Sequence, residues 1–347
     1  MKKFLSLVLA LALCLSLVAC GSSGSNDTAD TAETPDSSAE GATETSVTLP
    51  KNIEVQVPAS AGGGTDVVAR ALTTYISSNS DSNMTVMNNT DGSGVVAFET
   101  VRTGATDGSD LLFFHTTMCI KTASGMYDYS AAEDFKVVGA ALPTNPGGYV
   151  LVVPGDSGIE DLDAFIEAAK AGGMNIGVET NGSSHIMAGI LAGALGVELE
   201  YVEAGSDTDK LTNLVGGSID CALVNANQAK QYVEAGKVNA LGCFSATDEG
   251  GRNTILPDVP SLPELGYTDC VFGTYMFVLA NKDMDDATAQ AINDLFTAAA
   301  LDPDTAEILE GSGMGMEFVP YEEAQAVVAD QQETLTAVCA ELGISVG

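Results

Sequence analysis

The sequence predicts an α/β fold in which helices layer over strands that pair mainly in parallel. Three observations carry that expectation. Strand-type and helix-type runs alternate along residues 48–347. Apolar residues make up 45% of the chain, ample material for a core, which excludes global disorder. A length of 347 residues suggests about two domains.

The first element is not part of that body. Lys2 and Lys3 precede an apolar run from Phe4 to Val18, which leads into Leu17-Val18-Ala19-Cys20-Gly21. The run is short for a membrane span and ends in small residues, the pattern of an export signal. A cysteine at the cleavage point with Leu three positions before it resembles the bacterial lipobox. There the peptide is cut before the cysteine and the thiol is acylated, so residues 1–19 are read as the signal and Cys20 as the lipidation site. An ordinary secretory signal with an incidental cysteine is the other reading. The next stretch, up to residue 47, carries six carboxylates between Asp27 and Glu44, no Lys or Arg, and almost no large apolar groups. It cannot bury enough surface to order itself and reads as an acidic tether, reaching roughly 28 Å root-mean-square as a flexible coil.

The body then follows in order. Ile53 to Val57 alternates as a strand, and Val67, Val68, Leu72, Tyr75 and Ile76 keep helical spacing. Asp110–Phe114 and Tyr149–Val153 read as buried strands, 161–171 as a helix, 174–178 as a strand, and 186–195 as a helix. Strands at 219–224 and 238–244 flank a helix over 228–235. A strand at 275–279 precedes helices over 286–300, 304–310 and 322–342. Five cysteines remain in the body, Cys119, Cys221, Cys243, Cys270 and Cys339, an odd number without paired spacing. That is neither a zinc pattern nor a disulfide framework, and buried free thiols are expected, clearest for Cys221 and Cys243 inside strands.

Composition narrows the function. With 13 basic against 48 acidic residues the net charge is −35, which rules out general nucleic-acid backbone binding. It also argues against docking on anionic lipid by surface charge. Gly155-Asp-Ser-Gly158 mimics part of a serine-protease motif, but it sits just before a helix where Asp and Ser turn or cap the chain. No base or oxyanion hole accompanies Ser157, so no enzyme is expected. His115 and His185 are the only imidazoles and have no neighbouring Cys, so neither a metal nor a cofactor is expected.

Two strand–loop–helix junctions carry the binding chemistry. The first is Val57-Pro-Ala-Ser-Ala-Gly-Gly-Gly-Thr-Asp66, where three glycines let backbone approach a ligand and Thr65 or Asp66 can cap the helix. It lacks the Gly-Lys-Ser/Thr ending of a phosphate loop, and a plain tight turn is the competing reading. The second is Thr180-Asn-Gly-Ser-Ser-His185, rich in hydroxyls before another helix. Two helix N-termini facing each other suit a carboxylate, since N–H and hydroxyl groups supply donors without a buried cation. His185 is read first as a loop or capping residue.

Gly62-Gly-Gly-Thr-Asp66 with Ala69-Arg70 resembles the opening motif of the tripartite tricarboxylate transporter substrate-binding proteins, the TctC or Bug receptors. Asn175 to His185, Leu214 to Asp220, Ala235 to Leu241 and Leu256-Pro-Asp-Val-Pro260 resemble further stretches of that family in order. The resemblance implies a two-lobe periplasmic-binding-protein fold, type II-like, with a ligand cleft between the lobes. Residues 48–147 and 272–347 are expected to form one lobe, and 148–271 the other. It implies ligand contacts from Ala61, Gly62, Gly63, Thr65 and Asp66, and from Thr180, Asn181, Gly182, Ser183 and Ser184. Thr116, Thr117, Asn145 and Asn225 are expected on further cleft loops.

The implied function is an extracytoplasmic solute-binding lipoprotein, held on the cell membrane by its lipid. It would deliver a small carboxylate, a di- or tricarboxylate or an acidic amino acid, to integral membrane transporter subunits. A monomer is expected. A receptor of another uptake system, such as an amino-acid transporter, and a lipoprotein enzyme on the same fold remain alternatives. Three departures from the family matter: its Asn-x-Pro-Gly-Ala-Gly-Gly loop is reduced here to Asn89-Thr-Asp-Gly-Ser-Gly94, a small residue is usual where Glu179 stands, and a Lys is common near Glu203. Two carboxylates near the cleft favour a ligand that carries an amine, unless both point into solvent.

Overall fold

Two sheets organise the described residues of the computed structural model, which are 47–144, 146–247 and 251–344. The export signal, Cys20, the tether up to residue 46 and Asn145 lie outside them. In chain order the first part comprises β1 (Asn52–Val57), α1 (Gly64–Asn79), β2 (Asn83–Asn88), α2 (Val95–Arg102), β3 (Asp110–His115), α3 (Thr117–Ala123) and β4 (Phe135–Pro143). The chain then crosses to β5 (Tyr149–Pro154), α4 (Leu162–Ala171), β6 (Asn175–Val178), α5 (Ser183–Leu195), β7 (Glu200–Glu203), α6 (Asp207–Val215), β8 (Cys221–Asn225), α7 (Ala226–Glu234) and β9 (Val238–Cys243). It returns through β10 (Met276–Asn281), α8 (Asp286–Leu301), α9 (Pro303–Gly311), β11 (Met316–Phe318) and α10 (Tyr321–Leu342).

The first sheet runs β11-β4-β10-β3-β1-β2 and the second β7-β6-β8-β5-β9. Pairing is mixed, not mainly parallel as the alternation of strands and helices implies. β1 pairs parallel with β2 and β3, and β6 parallel with β7 and β8. β10 lies antiparallel between β3 and β4, and β5 antiparallel between β8 and β9. The reason is the crossing itself. A strand arriving from the other lobe, β5 or β10, starts at the cleft and runs away from it, against the strands that helices deliver toward the cleft; the short edge strand β11 also lies antiparallel to β4.

Each lobe is therefore a three-layer sandwich whose strands alternate faces. Leu111 and Phe113 of β3 join Val68, Leu72 and Phe296 in one cluster, while Leu112 and Phe114 join a second on the opposite face. In the other lobe Val150 and Val152 point one way and Leu151 and Val153 the other. Sequence patterning misses β2, β4, β7 and β11, and α2, α3 and α6. Most of β2 and β7 is exposed edge with little apolar alternation, and α3 has seven residues, too few to express a helical period.

One apolar cluster spans both lobes and includes Leu112, Leu151, Ile186 and Leu335. α10 packs on α3 and on α5. A Cβ at Gly189 of α5 would fall 2.7 Å from the end of the Leu342 side chain, so a larger residue there would displace Leu342 from its present seat. The five described cysteines are free and buried, and burial pushes Cys119 and Cys243 up to about 12. Among the described residues no helix is long and apolar enough to cross a membrane.

Candidate functional site

A cavity of about 300 Å³ lies at the ends of the strands where the two lobes meet. Each parallel strand delivers a helix N-terminus to it. Five helices, α4, α6, α7, α8 and α9, close their own first turn with a side chain. Asp161, Asn225, Asp285 and Asp302 each accept a backbone N–H as N-cap, and Ser206 and Asp209 form a reciprocal capping box. α1 and α5, like α2, α3 and α10, do not: Gly63 and Gly182 are the N-caps of α1 and α5 and no side chain caps either. Their first N–H groups have no intrahelical partner, and both helices open on the cavity through Gly64, Thr65, Ser183 and Ser184.

The glycine loop before α1 is held by Asp66. The expectation that Thr65 or Asp66 caps the helix is corrected, because the helix begins one residue before Thr65 and both sit in its first turn. The Asp66 carboxylate reaches back to accept the Gly62 N–H at 2.8 Å, and Asn88 Nδ2 donates to its other oxygen at 2.8 Å. Arg70 Nε lies 2.9 and 3.0 Å from the two oxygens. Burial works to raise this carboxyl, but these donors outweigh it and hold it below the ordinary range. Its stabilisation is therefore complete well above the unfolded value near 3.8 and is lost as pH falls through the lower folded value. Asp66→Asn is expected to cost about 2 kcal/mol at pH 7. The gap to wild type should narrow at pH 3 in denaturant unfolding; a gap independent of pH would show that the charge is not what matters.

The second loop is shaped from within. The Glu179 N–H donates to Ser184 Oγ at 2.8 Å and the Asn181 N–H to His185 Nδ1 at 3.3 Å. Asn181 adopts φ 56°, a left-handed conformation that Asn tolerates better than most residues. A Cβ at Gly182 would stand 2.9 Å from the Glu179 carboxyl carbon and 3.1 Å from the Glu179 carbonyl oxygen, so any larger residue there would push the Glu179 side chain aside. Glu203 accepts the Thr180 N–H at 2.7 Å and the Gly205 N–H at 2.9 Å. Burial opposes these bonds, yet they and Lys210 hold its carboxyl below the ordinary range.

Of the residues singled out from sequence, Gly63, Thr65, Thr117, Ser183, Ser184 and Asn225 line the cavity. Ala61, Gly62, Asp66, Thr116, Thr180, Asn181 and Gly182 do not; they shape the loops behind it. Thr116 keeps a buried hydroxyl with no hydrogen-bond partner among the described residues. Glu179 and Glu203 both line the cavity, which decides against their pointing wholly into solvent. His185 stays outside it, edge-on to Tyr201 at 4.9 Å.

Sequence reading missed His115, Tyr149, Asp207, Lys210, Gln228 and Thr274 in the wall. His115 and Tyr149 stand at the cleft ends of strands, a positional signal that their residue types alone do not carry. Burial, with Lys121 adding and Asp207 opposing, pushes His115 down to about 3. It is neutral, and its Nδ1 accepts the Thr117 N–H at 3.3 Å, which leaves the proton on Nε2. Burial, Asp207 and Glu179 push the Tyr149 phenol up, against a bond to Thr274. Lys210, nearly inaccessible, pairs with Asp207 at 2.7 Å. Lys121 of α3 pairs with Glu179 at 3.2 Å across the cleft. Three wall carboxylates thus stand against two ammonium groups. Among the described residues no cluster of His, Cys, Asp and Glu suits a metal ion.

Comparisons place this architecture. The family model of the tripartite tricarboxylate transporter family receptor matches residues 68–344. Protein BugT of Bordetella pertussis is 23% identical over 297 residues, covering 84% of this chain and 89% of its own. The periplasmic binding protein BugD superposes with a TM-score of 0.75 at 22% identity, over 86% of this chain and 99% of that one. MatC from Rhodopseudomonas palustris, solved with bound malate, gives 0.70 at 21% identity, over 83% and 98%. The two-lobe arrangement is the periplasmic-binding-protein fold.

Proposed function

The chain belongs to the tripartite tricarboxylate transporter family of receptors, and on that premise we propose that it is an extracytoplasmic lipoprotein that captures a small carboxylate. Cys20 would hold it on the membrane, and the filled receptor would hand its ligand to integral membrane subunits. The observation that carries the capture step is the pair of uncapped helix ends. α1 and α5 come from opposite lobes, lack side-chain caps, and open on one cavity beside the hydroxyls of Thr65, Thr117, Ser183 and Ser184. A carboxylate needs several donors at contact, and this arrangement offers them without a dedicated arginine. The three arginines of the chain, Arg70, Arg102 and Arg252, are absent from the wall.

Malate in MatC is a ligand of the size this cavity takes; about 300 Å³ is at the small end for ligand pockets. The charge of the wall refines the reading. One carboxylate remains in excess after Lys121 and Lys210 pair, so a ligand bearing an amine as well as a carboxylate is favoured over a plain di- or tricarboxylate. Calorimetry with succinate, citrate, aspartate and glutamate tests both levels. Binding of at least one supports capture, and an amino acid is expected to bind most tightly. Tight citrate binding without amino-acid binding removes the amine; no binding by any of the four removes the carboxylate reading.

A further inference from the structure

The contact between the lobes beside the cavity is made by one face of α3. Thr117 and Lys121 are one turn apart and project toward the second loop. Thr117 Oγ1 meets Ser183 Oγ at 2.8 Å, and Lys121 Nζ meets Glu179 Oε1 at 3.2 Å. The two ends of the ion pair differ sharply in environment. The Lys121 side chain is 1% exposed while that of Glu179 is 44% exposed and forms part of the cavity wall. Among the described residues Glu179 is the one carboxylate within ion-pair distance of Lys121.

We propose that Lys121 and Glu179 form a charge latch across the cleft, in which a buried cation makes closure of the lobes depend on Glu179. With the lobes together, Lys121 has lost its water and has one carboxylate to replace it. Remove that carboxylate and the closed form retains an unpaired buried charge, a heavy penalty. With the lobes apart, Lys121 is free to meet water, so the same removal costs the open form little. Deleting Glu179 alone therefore acts on closure and not on folding. Deleting both charges relieves the closed form, because the cation that needed a partner is gone. A ligand seated at the α5 end lies beside the same Glu179 carboxylate, so occupancy and closure meet in one group. This last step rests on the capture reading; the latch itself does not.

Small-angle scattering of the ligand-free full-length chain tests the latch without any ligand. Wild type is expected to scatter as the closed arrangement seen here. Glu179→Gln is expected to lower the closed population at least tenfold and to raise the radius of gyration. Adding Lys121→Met to it should restore the wild-type curve. Circular dichroism of Glu179→Gln should match wild type, as fits a side chain this exposed. A Glu179→Gln curve identical to wild type, or a double variant that stays open, overturns the proposal. In calorimetry, a carboxylate that wild type binds should bind Glu179→Gln about tenfold more weakly. Failure of every carboxylate to bind wild type would sink capture and leave the scattering result to decide the latch.

Discussion

Ser183→Asp is expected to abolish carboxylate capture while leaving the chain folded. Ser183 is the first residue of α5, whose first turn holds no acidic residue and whose N-cap, Gly182, offers no side chain. An Asp there is welcome to the helix, because a carboxylate beside unpartnered N–H groups and the positive dipole end stabilises it by about 0.3–1 kcal/mol. It also takes the donors a ligand carboxylate needs and sets a like charge in a buried wall. Affinity should fall at least 100-fold, about 2.7 kcal/mol, by calorimetry with whichever carboxylate binds wild type. Ser183→Ala loses one hydroxyl, with its bond to Thr117, but keeps the helix-end N–H groups, and should cost about 1 kcal/mol, several-fold in affinity. Equal losses in the two variants would mean that the hydroxyl, not the helix end, holds the ligand.

Asp207→Ala is expected to produce the largest loss of stability among single changes in the cavity wall, about 3–5 kcal/mol. The Lys210 side chain is 3% exposed and its ammonium lies 2.7 Å from Asp207 Oδ1, with the Leu223 carbonyl more distant at 3.4 Å. Asp207 Oδ2 also accepts the Asn225 N–H at 2.9 Å, tying the end of β8 to the start of α6. Truncation strands a buried cation and a backbone donor together. Lys210→Met in the same chain should recover part of the loss, because the unpaired charge is then absent. Denaturant unfolding of the two variants measures this; a double variant no more stable than Asp207→Ala would assign the cost to the lost Asn225 bond.

The parts of the fold legible in the sequence are those whose signal is local. Buried strands such as Asp110–His115 and Tyr149–Pro154 are apolar along their length, and long helices such as α8 and α10 repeat over several turns. The edge strands β2 and β7 carry no such pattern because water covers most of their residues. The site divides in the same way. Gly63, Thr65, Ser183 and Ser184 lie in loops whose composition announces an open helix end. His115, Tyr149 and Lys210 reach the cavity through strand order and helix placement, which no short motif encodes.

The sequence by itself determined the alternation of strands and helices, the two glycine- and hydroxyl-bearing junctions, and the acidic character of the molecule. These follow from side-chain volume, backbone freedom and formal charge, all properties of short segments. Only the tertiary structure decided how β5 and β10 enter their sheets, that Asp66 clamps the glycine loop behind the cavity, and that Glu179 stands beside Lys121. Residues 121 and 179 stand 58 positions apart in chain order, one on α3 beside the first sheet and one after β6 of the second, and meet across the cleft at 3.2 Å. A charge has no fixed meaning until its partner and its access to water are known, and both are set by packing between distant segments.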